Sequence, residues 1–173
     1  MIWPFLATLW LSPLADVPST QAIQAAIQSL APRRVPAKKY ARIIHREARR
    51  RNIDPFLIVA IIHVESSWNS RAKSPTADWG LGQVHVSKTS NPELIGKEYL
   101  LFDPNINIDY VVKTLVMWRA YHRRCAARVN TPSQHPWWSH YQWGYVVRDL
   151  TWSKKVTALY HALRQRAILR VVA

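Results

Sequence analysis

The segment AIIHVESSWNS, residues 60–70, carries one acid, Glu65, at the end of an apolar run and with no Lys or Arg beside it. Burial withdraws water from a carboxyl group, penalises its charged form and raises its pKa, whereas a neighbouring cation would lower it. A carboxyl in that setting can still hold its proton at neutral pH and act as a general acid, for instance toward a glycosidic oxygen. Position alone also suits a helix-end cap or a side chain that snorkels to water. The other acids are less apt. Glu47 belongs to a charged helix face, Glu93 and Glu98 lie in a polar connection, and Asp103 and Asp109 read as acids at the start of a helix, where they favour its dipole.

Helices must position Glu65. Asp54 followed by Pro55 reads as an N-cap and first helical residue, and PFLIVAIIHVESSW is apolar nearly all round, as suits a central helix surrounded by others. Ahead of it, KKYARIIHREARRRNID sets Tyr40, Ile43, Ile44 and Ala48 on one face, with an Arg-rich face expected in solvent. Beyond Glu65, SSWNSRAKSPTADWGLGQ has the Pro and Gly content of loops and turns. A helix is expected from about Asn105 through Tyr121, with Ile108, Val111, Val112, Leu115 and Trp118 near helical spacing. RRCAARVNTPSQ then reads as a loop, and PWWSHYQWGYVV and TWSKKVTALYHALRQRAI as two closing helices. No strand run or internal repeat stands out, so the expected fold is mainly α.

The flanks suggest a division of the chain. Residues 1–19 open on an apolar stretch that is short for a membrane span and suited to a signal-peptide core or N-terminal anchor, although no Lys or Arg precedes it. Residues 20–38 read as a lead helix broken into a linker at Pro32 and Pro36, residues 39–168 as the main domain, and 169–173 as a tail.

Composition narrows the partners. The formal charge is +14, from 24 Lys and Arg against 10 Asp and Glu, which favours an anionic partner: nucleic acid, lipid headgroups or cell wall. The Arg runs lack a recognition-helix pattern and are more simply solvated faces, so no specific nucleic acid is expected. Nine Trp and seven Tyr supply core or flat stacking platforms, with Trp137, Trp138, Tyr141 and Trp143 the candidates for ligand contact. The single Cys125 reads as a packing residue. The seven His show no ligand spacing, so neither a metal nor a cofactor is expected.

The neighbourhood of Glu65 resembles the soluble lytic transglycosylase (SLT) family of the lysozyme-like superfamily. The resemblance rests on Glu65-Ser66-Ser67-Trp68, Ala72-Lys73-Ser74, Gly80-Leu81-Gly82-Gln83, Asp103-Pro104 with Asn107-Ile108, and Tyr141-Gln142-Trp143-Gly144, in that order across roughly residues 39–168. It implies a lysozyme-like helical domain whose central apolar helix ends in the catalytic acid. It also implies a peptidoglycan substrate, cut at the β-1,4 bond between N-acetylmuramic acid and N-acetylglucosamine to leave a 1,6-anhydromuramyl end.

In that reading Glu65 is the acid and then the base, Ser74 and Gln83 bond the sugars near the cut, and Tyr141 lines the floor. The Ser-Ser-Trp stretch begins a sugar-facing loop, and Gln142, Trp143 and Trp152 complete the substrate contacts. The chain departs from the family at Ala77-Asp78, where Gly-Ala is usual, at Gln142 in place of Asn, and at Trp152 in place of Tyr. Trp152 can donate through its indole N–H but cannot accept as a phenol does. Asp78 is a candidate second acid: aimed into the cleft it could orient water and make the enzyme a hydrolytic lysozyme.

A non-catalytic wall-binding module of a phage or secretion apparatus is a further alternative, and secretion-system or phage-structural partners are open. The resemblance implies an exported, periplasmic or envelope-associated protein, virion-associated if phage-encoded, with membrane contact only through the N-terminal segment.

Overall fold

In the computed structural model, which describes residues 17–129 and 135–172, the chain is built around one apolar helix. That helix, α3 (Pro55–Ser66), starts as its sequence dictates: the Asp54 carboxylate accepts a hydrogen bond from the Phe56 N–H at 2.9 Å, and Pro55 occupies the first turn. Every residue from Pro55 through Ile62 is buried, so α3 has no solvent face over its first two turns. Each fully buried aliphatic side chain of this kind contributes about 1.5–3 kcal/mol.

The other helices supply the walls. Helix α1 (Thr20–Leu30) is capped by the Ser19 hydroxyl and buries Ile23 and Ile27, while α2 (Ala37–Arg51) buries Tyr40, Ala41, Ile43, Ile44 and Ala48. Both pack on α3 and on each other, so the lead helix shares the core of the main domain and the Pro32 to Pro36 turn links two packed elements. Helix α4 (Pro104–Val129) buries Ile108, Val111, Val112, Leu115 and Trp118. Its first turn is held by the Asp103 carboxylate, which accepts from the Asn105 N–H at 2.7 Å. Helices α5 (His140–Trp143) and α6 (Thr151–Val172) close the fold, α6 lying along α3.

Between α3 and α4 runs the loop region, which contains one small hairpin. Strands β1 (Asp78–Trp79) and β2 (Val84–His85) pair antiparallel, Asp78 opposite His85 and Trp79 opposite Val84. A strand pair this short carries no periodic pattern, which is why the sequence did not announce it.

Other expectations shift. Arg123 through Val129 continue α4 where a loop was expected, because the segment contains no Pro or Gly to end the helix. Of PWWSHYQWGYVV, only Trp137–Ser139, a 3-10 turn, and α5 are helical, and Gly144 with a φ of 69° ends them. Helix α6 runs on to Val172, through most of the segment read as a tail.

The Arg-rich face of α2 is not simply solvated. Glu47 is buried and ion-paired with Arg46, Arg50 and Arg51, and Arg50 and Arg51 each reach Asp109 of α4 at 2.6 Å. Asp109 therefore bridges helices and does not serve chiefly as a dipole partner. The stretch read as a signal peptide or anchor lies outside the described residues up to residue 16. Among the described residues no helix is long and apolar enough to cross a membrane.

Candidate active site

Glu65 sits in the last turn of α3, half-buried, where the chain breaks out of the helix through left-handed Ser67 and Trp68, with φ of 49° and 70°. Its carboxyl is pushed up to about 8, chiefly by burial. The Trp152 indole opposes the shift and the charge of Asp78 adds to it. The negative end of the α3 dipole acts in the same direction as burial. At neutral pH Glu65 is therefore mostly the neutral acid.

Trp152 is 7% exposed, and its indole N–H lies near enough to influence Glu65 while making no full hydrogen bond to any group. A buried, unpaired donor beside a carboxyl favours the carboxylate once the proton has left. The indole is held flat against Tyr141, with centroids 5.9 Å apart and planes within 4°. The Tyr141 hydroxyl donates to the Gly82 carbonyl at 2.8 Å. Burial, then the charges of Glu65 and Asp78, hold the Tyr141 phenol well above its ordinary value, so it stays a neutral donor.

The Gly80 to Gln83 turn is pressed against α4. Asn107, fully buried, accepts from the Gly82 N–H at 2.8 Å and donates to the carbonyls of Trp79 at 2.8 Å and Leu101 at 2.9 Å. A Cβ on Gly80 would stand 2.2 Å from the Leu101 carbonyl oxygen, and one on Gly82 would stand 2.1 Å from Val111, so both positions require glycine for contact. Gln83 adopts a φ of 49° and returns its side-chain N–H to the Gly80 carbonyl at 3.0 Å. That leaves the Gln83 amide oxygen as the acceptor toward a ligand.

Asp78 and Ser74 take roles different from the simplest expectation. The Asp78 Oδ2 accepts from the Ser74 and Thr76 hydroxyls, both at 2.6 Å, and its Oδ1 pairs with His85 Nδ1 at 2.8 Å. Ser74 Oγ in turn accepts from the backbone N–H groups of Thr76 and Asp78. The hydroxyl of Ser74 is thus committed to shaping the turn. Asp78 is a fixed carboxylate with both oxygens engaged, close enough for its charge to act on Glu65.

The structure thus brings together Glu65, Asp78, Gln83, Tyr141 and Trp152. Gln142 is exposed on α5, and Trp143 is half-buried with an indole N–H lacking a hydrogen bond. Trp68 turns inward, 4% exposed and stacked on Tyr40, so the Ser-Ser-Trp stretch anchors the helix end and does not face sugar with its indole. Trp138 also serves packing, donating to Thr157 of α6 at 3.2 Å and meeting Tyr160 edge-on.

Sequence reasoning assigned no role to Asn107, Thr76 or His85. An Asn within the apolar stripe of α4 was the available signal, since a buried amide must find partners. Thr76 and His85 carried no such mark. The histidines that spacing did not connect also converge: ring nitrogens of His122, His135 and His140 lie within 4.8 Å of one another.

Residues 42–126, just under half of the 173, match the family model of the Transglycosylase SLT domain. The match runs from within α2 to within α4 and spans Glu65, Asp78, Gln83 and Asn107, whereas Tyr141 and Trp152 lie beyond it. No curated protein and no solved structure matches the chain. At family level the SLT domain is associated with lytic transglycosylase activity on peptidoglycan. The mainly helical architecture is consistent with a lysozyme-like SLT helical domain, and residues 42–126 are similar to the model of that family.

Proposed function

We propose that the protein is a peptidoglycan lytic transglycosylase that cleaves the β-1,4 bond between N-acetylmuramic acid and N-acetylglucosamine and leaves a 1,6-anhydromuramyl end. The carrying observation is Glu65, a carboxyl pushed up to about 8 at the end of a buried helix, beside Trp152 and Tyr141. Glu65 gives its proton to the glycosidic oxygen as the bond from that oxygen to the muramyl C1 breaks. The substrate's acetamido oxygen stabilises C1, so a second protein carboxylate is not required. The muramyl 6-hydroxyl then bonds to C1 and returns its proton to the Glu65 carboxylate, which restores the acid without water.

The remaining groups suit binding. The Gln83 amide oxygen and the backbone of the Gly80 to Gln83 turn form a polar edge for the acetamido groups, and the Trp152 indole N–H steadies Glu65 in its charged half of the cycle. This substrate lies in the cell envelope, so the reading places the protein's work there.

Asp78 gives a second reading some support, because its charge reaches Glu65 as a lysozyme's second carboxylate would. Against it, both Asp78 oxygens already have protein partners, Ser74 and Thr76 on Oδ2 and His85 on Oδ1, which hold the carboxylate in the turn and not on a water aimed at the sugar. Mass spectrometry of the glycan fragments released from purified peptidoglycan separates the two. Anhydro ends are expected; reducing ends alone would make the protein a hydrolase.

A further inference from the structure

The three converging histidines come from separate places in the chain: His122 from α4, His140 from the start of α5, and His135 from just before the 3-10 turn that leads into it. Their rings meet at steep angles with centroids 5.4, 5.6 and 5.1 Å apart. His122 Nδ1 and His140 Nε2 stand 3.4 Å apart. Two nitrogens bound at 2.0–2.1 Å to one tetrahedral zinc ion are separated by about 3.4 Å, so this pair already has the spacing of two zinc ligands.

Backbone carbonyls orient the rings. His140 Nδ1 faces the Gly144 carbonyl at 2.6 Å, and His135 Nδ1 faces the Pro136 carbonyl at 3.2 Å. A carbonyl only accepts, so the His140 ring carries its proton on Nδ1 and its lone pair on Nε2. A carbonyl partner on the far nitrogen is the usual support for a metal-bound histidine, because it fixes both tautomer and ring direction. Trp118 stacks on His140 with planes within 19° and Tyr121 meets it edge-on, which further holds that ring. Binding asks that neutral His122 carry its proton on Nε2, that His135 present a ring nitrogen to the ion in place of its present contacts, and that the ring nitrogens close in from a spacing of up to 4.8 Å.

We propose that His122, His135 and His140 form a zinc site, with water in the fourth position, that clamps the segment from His135 to Trp143 onto α4. The clamp has a bearing on the active site without joining its chemistry. His140 directly precedes Tyr141, whose hydroxyl meets the Gly82 carbonyl. Fixing His140 on α4 fixes the start of the helix that presents Tyr141. The site stands on its own geometry and does not depend on the enzymatic reading.

Equilibrium dialysis of the untagged full chain against zinc sulfate, followed by metal analysis, tests the proposal alongside thermal melts with and without zinc. One zinc per chain is expected, and at a hundredfold excess over Kd the melting midpoint should rise by roughly 5–10 °C. His122→Ala and His135→Ala should each lose the bound zinc and the shift. His161→Ala, which removes an exposed histidine of α6, should keep both. Each variant is compared with its own zinc-free melt, so a folding defect does not mimic loss of the ion. Absence of saturable zinc in the wild type, or equal retention by His122→Ala, would overturn the site.

Discussion

Glu65 is an acid made by its surroundings. Apolar α3 removes its water, the helix end and Asp78 disfavour its charge, and among the described residues no cation relieves it. The same displacement toward about 8 has a thermodynamic sign. Between the ordinary 4.5 and the folded value, the folded chain keeps a proton that the unfolded chain has lost, so Glu65 lowers stability progressively as pH rises through that window. Glu65→Gln does not titrate. Its melting midpoint should match wild type near pH 4 and exceed it near pH 9; a constant difference at both would contradict the raised pKa. Wild-type activity should also decline as pH climbs through about 8, because the acid form is then lost.

The elements matter because Glu65 alone cannot hold a sugar. α3 delivers the acid, the β1–β2 hairpin delivers Asp78 and the glycine turn, and α5 with α6 delivers the Tyr141–Trp152 stack. Asn107 of α4 joins these parts, since its side chain meets backbone groups of Gly82, Trp79 and Leu101. Asn107→Ala would strand those groups in a buried place, at a cost of about 2–4 kcal/mol. Urea denaturation should register that loss, and peptidoglycan cleavage should fall with it as the Gly80 to Gln83 turn loosens. Undiminished stability would show that the amide is not the joint.

This is also where legibility ended. The start of α3, its all-round apolarity and the stripe of α4 follow local rules of capping and period, and could be read directly. The inward turn of Trp68 onto Tyr40 and the meeting of His122 with His135 and His140 depend on contacts between separate segments, which no local pattern encodes, and the partners of Asp78, though within seven residues of it, are set by an irregular turn that has no period to read.

At the scale of the molecule, the excess of 24 basic over 10 acidic residues sets up a long-range field that would favour an anionic polymer such as the proposed substrate. The α2–α4 ion cluster uses some of these charges structurally, through Glu47 and Asp109, and the rest of the excess acts outward. Attraction of that kind is screened by salt. Retention on purified peptidoglycan should weaken several-fold between about 50 and 300 mM salt, as the Debye length shrinks from roughly 14 to 6 Å; salt-independent retention would assign binding to the aromatic and polar groups of the cleft alone. The central claim is that one carboxyl performs the cut. Release of soluble glycan fragments from purified peptidoglycan by wild type and by Glu65→Gln, at matched folded concentration near neutral pH, tests it most directly: the variant should lose activity by about a hundredfold or more, whereas fragment release within a few-fold of wild type would contradict Glu65 as the acid.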